Sequence, residues 1–302
     1  MNILITGAFG HIGSLLLKKL IDKKNIKKII IIDNFKNNRY NSFIDLKKKK
    51  IKIFAEDVRK FNFKKIKYKI HYIIHLAAIT NAEGSFFEPK KFINHNLKTT
   101  ISIVKFAKSK NIKFIFASST SVYGNQYKII TSENNEKNLL PQSPYAFCKI
   151  KEEKIIRKNL QFYCILRFGT IAGYSDGIRF HTAINKFCFQ ASMNHRLTIW
   201  KKFFLKKRPY LEINDCINSI IFIINKNLFQ KTLFDVVSEN LTVKNILVFL
   251  RKIKNIKIKM VKTKILNQFS YEVSSSLLIK EGFKFNGKIK NSINEIMLKL
   301  NK

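Results

Sequence analysis

The four cysteines of this 302-residue chain, Cys148, Cys164, Cys188 and Cys216, show neither Cys-x-x-Cys nor zinc-ligand spacing. They are read as reduced structural residues, and no metal is expected. No apolar run reaches the roughly 18 residues of a membrane span. No charged n-region or cleavage site precedes the first strand, so no secretion signal is expected and the cytoplasm is the expected location. Acids are scarce: 19 Asp and Glu against 58 Lys and Arg give a formal charge of +39. No zinc finger or aromatic-basic single-strand motif accompanies that charge. Lysine is spread along the chain, as in Lys64 to Lys69, and its excess is shared with Asn, Ile and Phe, whose codons are all rich in A and T. The charge therefore follows compositional bias, and no nucleic-acid partner is expected. A positive field would still attract an anionic substrate.

What is present suits a globular core: 46% hydrophobic residues and 13% aromatics, mostly the 27 Phe. Strand-like apolar runs fall at residues 2 to 6, Lys28 to Ile32, Lys52 to Ala55, His71 to Leu76, Lys113 to Ala117 and Phe162 to Phe168. Helical spacing marks Ile12 to Leu20, Phe92 to Lys108 and Ala146 to Asn159. Alternating strands and helices imply an α/β doubly wound parallel sheet. Beyond about residue 170 the elements become shorter and mixed: Thr198 to Trp200 and Leu233 to Val237 read as strands, while Ile217 to Ile224, Val243 to Ile253 and Ile289 to Leu300 read as helices. The expected division is a dinucleotide-binding domain over 1–168 and a smaller α+β substrate lobe over 169–302. No internal repeat is visible.

After the first strand comes Thr6-Gly7-Ala8-Phe9-Gly10-His11-Ile12-Gly13. In such a turn the chain must approach a pyrophosphate, whose charge is met by the N-terminus of the next helix. Gly7 allows the sharp turn, Gly10 the close approach and Gly13 the contact of helix on strand. Asp33 ends the second strand, 33 − 13 = 20 residues after Gly13, where a carboxylate can accept both hydrogen bonds of an adenosine ribose. That favours NAD over NADP, with Lys36 and Arg39 near enough to keep NADP open.

The ordered series Thr6-Gly7-x-x-Gly10-x-x-Gly13, Asp33-Asn34-Phe35, Asp57-Val58-Arg59, His75-Leu76-Ala77-Ala78, Ser118-Ser119-Thr120-Ser121-Val122-Tyr123-Gly124, Ser143-Pro144-Tyr145-x-x-x-Lys149 and Leu166-Arg167-Phe168-Gly169 resembles the extended short-chain dehydrogenases/reductases, specifically the nucleotide-sugar epimerase/dehydratase group. The resemblance implies a Rossmann-type domain holding NAD. It assigns Gly7, Phe9, Gly10, His11, Ile12, Gly13, Asp33 and Asn34 to the cofactor, with Asp57 and Val58 bordering the adenine. Leu76, Ala77 and Ala78 would line the dinucleotide with Phe168, and Asn96 would brace the site. Ser119, Tyr145 and Lys149 would be catalytic, the last two also touching the cofactor. Thr80, Thr120, Thr170 and Arg208 would meet the substrate, Arg208 gripping a nucleotide diphosphate. A homodimer is a further implication.

The chemistry is consistent without the resemblance. A hydroxyl that gives up hydride must also lose its proton, and a free phenol, titrating near about 10, is a poor base at neutral pH. Lys149 lies one helical turn after Tyr145, so its charge can stabilise the phenolate, and Ser119 would bond the same substrate oxygen. Dehydratases of the group carry Asp-Glu after the catalytic Ser/Thr, where this chain has Thr120-Ser121. Transient oxidation to a keto sugar and return of hydride, an epimerase, is the expected reaction. A keto-sugar reductase or dehydrogenase and a non-catalytic binding protein of the same fold remain the alternatives. The stretch Arg179 to Phe187 resembles a subgroup among surface-polysaccharide sugar epimerases, which implies a role in polysaccharide biosynthesis. His181, within it, is a further candidate for substrate contact. The usual Gly-Asp-Gly before Arg208 is replaced by Lys201-Lys202-Phe203-Phe204.

Overall fold

The computed structural model describes residues 1–36, 42, 48–124, 129–130, 139–262 and 271–301; Arg39 lies outside them. The chain opens β1 (Asn2–Thr6), α1 (His11–Ile21), β2 (Lys28–Ile32), β3 (Ile51–Phe54) and β4 (Tyr72–His75). It continues α2 (Pro89–Ser109), β5 (Lys113–Ser119), α3 (Pro144–Asn159), β6 (Tyr163–Phe168) and β7 (Thr170–Ala172). Then follow α4 (Ala183–Ser192), β8 (Leu197–Trp200), β9 (Arg208–Glu212), α5 (Ile213–Lys226) and β10 (Thr232–Val236). The last elements are β11 (Glu239–Leu241), α6 (Val243–Arg251), β12 (Ile258–Val261), α7 (Ser276–Lys280) and α8 (Ile289–Leu300).

Seven strands form one sheet in the order β10-β6-β5-β4-β1-β2-β3, every pair parallel. A parallel sheet covered on both faces needs strands apolar on both sides, which explains the unbroken Ile29-Ile30-Ile31-Ile32 of β2, all fully buried. Successive side chains point to opposite faces. Ile3, Ile5, Ile29 and Ile31 therefore join Leu16, Leu17 and the α5 isoleucines on one side, while Leu4, Ile30 and Ile32 meet Ile103, Val104 and Ile156 of α2 and α3 on the other.

The sequence reading of β1, β2 and β6 agrees with the structure to within a residue, and the doubly wound parallel sheet is observed. The large sheet takes six strands from the residues up to 168 and a seventh from the later half, where β10 returns to pair with β6. Beyond it lie a three-stranded sheet, β11-β9-β7, and a two-stranded one, β12-β8, around a separate core in which Ile184, Leu197, Tyr210, Leu250 and Ile293 are buried. Strand order reverses direction between β1 and β4, and such a switch point leaves a crevice at the carboxyl ends of the strands.

Candidate functional site

A cavity of about 730 Å³ occupies that crevice and extends towards the smaller sheets. At its floor Gly7 turns with φ +71°, and a Cβ there would lie 2.7 Å from the Ala77 backbone nitrogen. A Cβ on Gly13 would lie 2.6 Å from the Ala8 carbonyl oxygen, so the helix can sit against the turn only with glycine there. The N-terminus of α1 is capped by Gly10 with no side-chain hydrogen bond and no acid in its first turn. Its backbone donors and dipole are thus left for an anion. The Asp33 carboxylate accepts the Phe9 and Phe35 backbone N–H groups, each at 3.0 Å, and lines the cavity beside Asn34. Asp57 and Val58 border the same end. The Arg59 guanidinium holds the Asp57 carboxyl down at about 2 through a two-pronged ion pair.

These features fit a dinucleotide: a glycine turn without room for a side chain, an open helix N-terminus and a carboxylate at the end of the second strand. Gly7, Phe9, Gly10, His11, Ile12, Gly13, Asp33, Asn34, Asp57, Val58, Leu76, Ala77, Ala78 and Phe168 all border the cavity. Asn96 lies behind it, fully buried, bonding the Ile79 N–H at 2.8 Å and the Ile79 carbonyl at 2.9 Å. That is a brace for the wall following Ala78. The His11 imidazole is turned to the Gly173 carbonyl, 2.8 Å from Nε2.

The candidate reactive residues arrive from β5 and α3. Ser119 ends β5, its oxygen accepting the Ser121 N–H at 3.2 Å. Ser143 caps α3, accepting the Ala146 N–H at 3.1 Å, and Pro144 supplies a first-turn residue with preset φ. Tyr145 is thereby fixed in the first turn, half-buried, with Lys149 one turn on and 2% exposed. The Lys149 ammonium bonds the Ala117 carbonyl at 3.2 Å, stands 4.5 Å above the Phe116 ring and lies 6.0 Å from the Tyr145 ring centroid. Ser119, Tyr145 and Lys149 face one cavity.

At the far end the lining includes Thr80, Thr170, Arg179, His181, Lys186, Trp200, Phe203, Arg208 and Tyr271. Arg208 Nε is buried with no hydrogen-bond partner among the described residues, a donor that suits an anionic ligand. Thr80 accepts a hydrogen bond from Arg179. Thr120 is nearly fully buried, its hydroxyl 3.3 Å from both the Phe168 carbonyl and the Tyr271 hydroxyl. Sequence reasoning missed Tyr271, which has no motif around it. It also missed the clamp on α1, where Ser175 Oγ donates to the His11 carbonyl at 2.8 Å and the Gly177 N–H to Ser14 Oγ at 3.1 Å. Gly177, where a Cβ would lie 2.5 Å from the Gly10 carbonyl oxygen, marks the close approach, but a single glycine is no motif. Among the described residues no group of His, Cys, Asp and Glu could hold a metal ion, and no helix is long and apolar enough to cross a membrane.

Residues 3–236 match the NAD dependent epimerase/dehydratase family. A Bacillus subtilis protein described as an uncharacterized UDP-glucose epimerase, YtcB, is 30% identical over 75% of this chain and 73% of its own length. A dTDP-D-glucose 4,6-dehydratase of Dictyostelium discoideum is also 30% identical, over 74% of this chain and 56% of its own. Among solved structures, UDP-glucuronic acid 4-epimerase from Bacillus cereus, in complex with UDP-glucuronic acid and NAD, superimposes with a TM-score of 0.87 over 99% of both chains at 23% identity, a likeness of fold.

Proposed function

The chain belongs to the NAD dependent epimerase/dehydratase family, and within it we propose that it epimerises a nucleoside-diphosphate sugar. The observation that carries this reading is the meeting of Ser119, Tyr145 and Lys149 in one cavity whose next two residues, Thr120 and Ser121, bring no carboxyl group. Tyr145 removes the proton of the sugar hydroxyl, and Ser119 bonds the same oxygen as charge develops. Lys149 stabilises the phenolate. NAD, held by the glycine turn and Asp33, supplies the acceptor and donor of hydride. The keto sugar turns over in the cavity, and Tyr145 returns the proton as the opposite configuration forms. Arg208 and Lys186 hold the diphosphate by charge.

The relatives include both epimerases and a dehydratase, and the two reactions leave different products. The experiment is to denature the purified protein, identify any released dinucleotide, and then offer UDP-, GDP-, CDP- and dTDP-sugars to the native protein. Interconversion of sugars without net NADH, abolished in Tyr145→Phe, is expected. A product lighter by one water would make it a dehydratase. Stoichiometric consumption or production of NAD(P)H would make it a reductase or dehydrogenase, and retention of function by Tyr145→Phe would point to a binding protein.

A further inference from the structure

Lys149 has a partner that its proposed task does not require. Glu152, fully buried on the next turn of α3, places Oε2 3.0 Å from the Lys149 ammonium. Its other oxygen accepts the Thr100 hydroxyl of α2 at 2.6 Å. From there the donors follow in one direction. An ionised carboxylate only accepts, so the Thr100 O–H points to Glu152, and the Thr100 oxygen accepts from His75 Nε2 at 3.2 Å. His75 Nδ1 then accepts the Thr6 hydroxyl at 2.6 Å, and Thr6 accepts the Ala77 N–H at 3.3 Å. The chain begins on the wall of the cofactor cavity, passes the residue before Gly7 and ends on the carboxylate beside Lys149.

We infer that Glu152 is a positioning residue that holds the Lys149 ammonium against the carboxyl end of β5 and keeps it charged although it is almost wholly buried. The inference rests on the reading of Lys149 as the partner of a catalytic phenol. Two of the three ammonium donors are occupied by Glu152 and the Ala117 carbonyl, which leaves one to face the cavity. An isolated buried ammonium tends to lose its proton. Burial, the largest single influence, pulls Lys149 down; Glu152 leads the groups that raise it, by charge and by hydrogen bond, with Tyr145 and Cys148 beside it, and together they hold Lys149 above the ordinary lysine value.

Among the other groups around Lys149, Tyr145 and Cys148 add to the pull of Glu152, and the rest are turned elsewhere. On α3, Tyr145 and the Cys148 thiol are near, the thiol pushed up to about 12 by burial and by Glu152, and Lys151 is itself a cation. Glu153 is committed to Arg167 of β6 at 2.6 Å and to Ser118 of β5 at 2.5 Å. Tyr123 is bonded to Asp235 and Arg167. His75 of β4 is held neutral, pushed down to about 3 by burial and by Lys149. Thr100 is the α2 contact, and Glu83, just before the turn at Gly84–Phe86, lines the cavity itself.

The test compares the whole protein with Glu152→Gln and Glu152→Asp. With 13C at the lysine Cε atoms and Lys149→Met assigning the resonance, Lys149 stays charged beyond the ordinary lysine range in the parent protein. It loses its proton at least about one pH unit lower in Glu152→Gln. The Asp variant keeps the charge one methylene shorter and shows a smaller shift in the same direction, which serves if the Gln variant does not fold. In sugar turnover, kcat/KM of Glu152→Gln falls about tenfold per pH unit above that lowered value, where the parent protein stays flat. Unchanged Lys149 titration in the folded variants, or a loss of kcat/KM equal at every pH, would overturn the proposal. A shifted titration in a protein that turns over no nucleotide sugar would leave Glu152 in its role and remove the epimerase reading instead.

Discussion

The Asp33 carboxylate accepts the Phe9 N–H through Oδ2 at 3.0 Å, so it fastens the glycine turn to the end of β2. Its Oδ1 accepts the Phe35 N–H and holds that residue at φ +52°. Asp33→Asn is expected to weaken NAD binding about 10- to 100-fold, the scale of one charge-assisted hydrogen bond. Asp33→Ala should weaken it further and lower the melting temperature, because both backbone donors lose their acceptor. Calorimetric titration with NAD alongside thermal melts checks both outcomes.

Gly7 and Gly282 offer a controlled comparison. Both have positive φ, +71° and +98°, but a Cβ at Gly7 would strike the Ala77 backbone while one at Gly282 meets nothing within 4 Å. Gly282→Ala should cost about 1 kcal/mol of stability and leave NAD affinity alone. Gly7→Ala should cost more and reduce NAD affinity, since Ala77 must move. Equal effects of the two substitutions on NAD binding would contradict this account.

His75 predicts an acid-side loss of stability. It is held neutral in the fold, down at about 3 against an ordinary 6.5, by burial and then by Lys149. Between those values the unfolded chain binds a proton that the folded chain refuses. The contribution is therefore complete above about pH 6.5 and declines as pH falls towards about 3, by up to about 1.4 kcal/mol per unit. In His75→Asn the dependence of urea-unfolding free energy on pH across that window should flatten, even if the variant is less stable at neutral pH.

Arg208 places in the cavity a buried Nε that has no hydrogen-bond partner among the described residues. Arg208→Lys keeps the charge and loses the planar fork. Its KM for the nucleotide sugar should rise about tenfold or more, the worth of one charge-assisted hydrogen bond, with a much smaller change in kcat. A nucleoside diphosphate should lose more affinity as an inhibitor than the nucleoside does, which steady-state competition measures.

Legibility followed the range of the interactions. Gly7 and Asp33 could be read because both lie within the β1-α1-β2 unit, and Tyr145 and Lys149 because both lie on one helix, where spacing along the chain fixes spacing in the fold. The β2 isoleucines announced a strand buried on both faces for the same local reason. Leu233 to Val237 was legible as a strand but not as the edge of the large sheet, since its partner β6 lies more than sixty residues earlier. Asn96, expected as a brace, bonds both backbone groups of Ile79, while the contacts of Thr120 with Tyr271 and of Ser175 with His11 join segments 151 and 164 residues apart and leave no local pattern.

The sequence by itself determined the alternating α/β order, the glycine turn with its acid, and the Tyr-Lys pair, because backbone sterics and helical period dictate these over a few residues. Only the tertiary structure decided what surrounds Lys149. The hydrogen bonds from Ala77 through Thr6, His75 and Thr100 to Glu152 join two strands and two helices. In the unfolded chain each of those groups would be satisfied by water, and only burial together obliges them to satisfy one another.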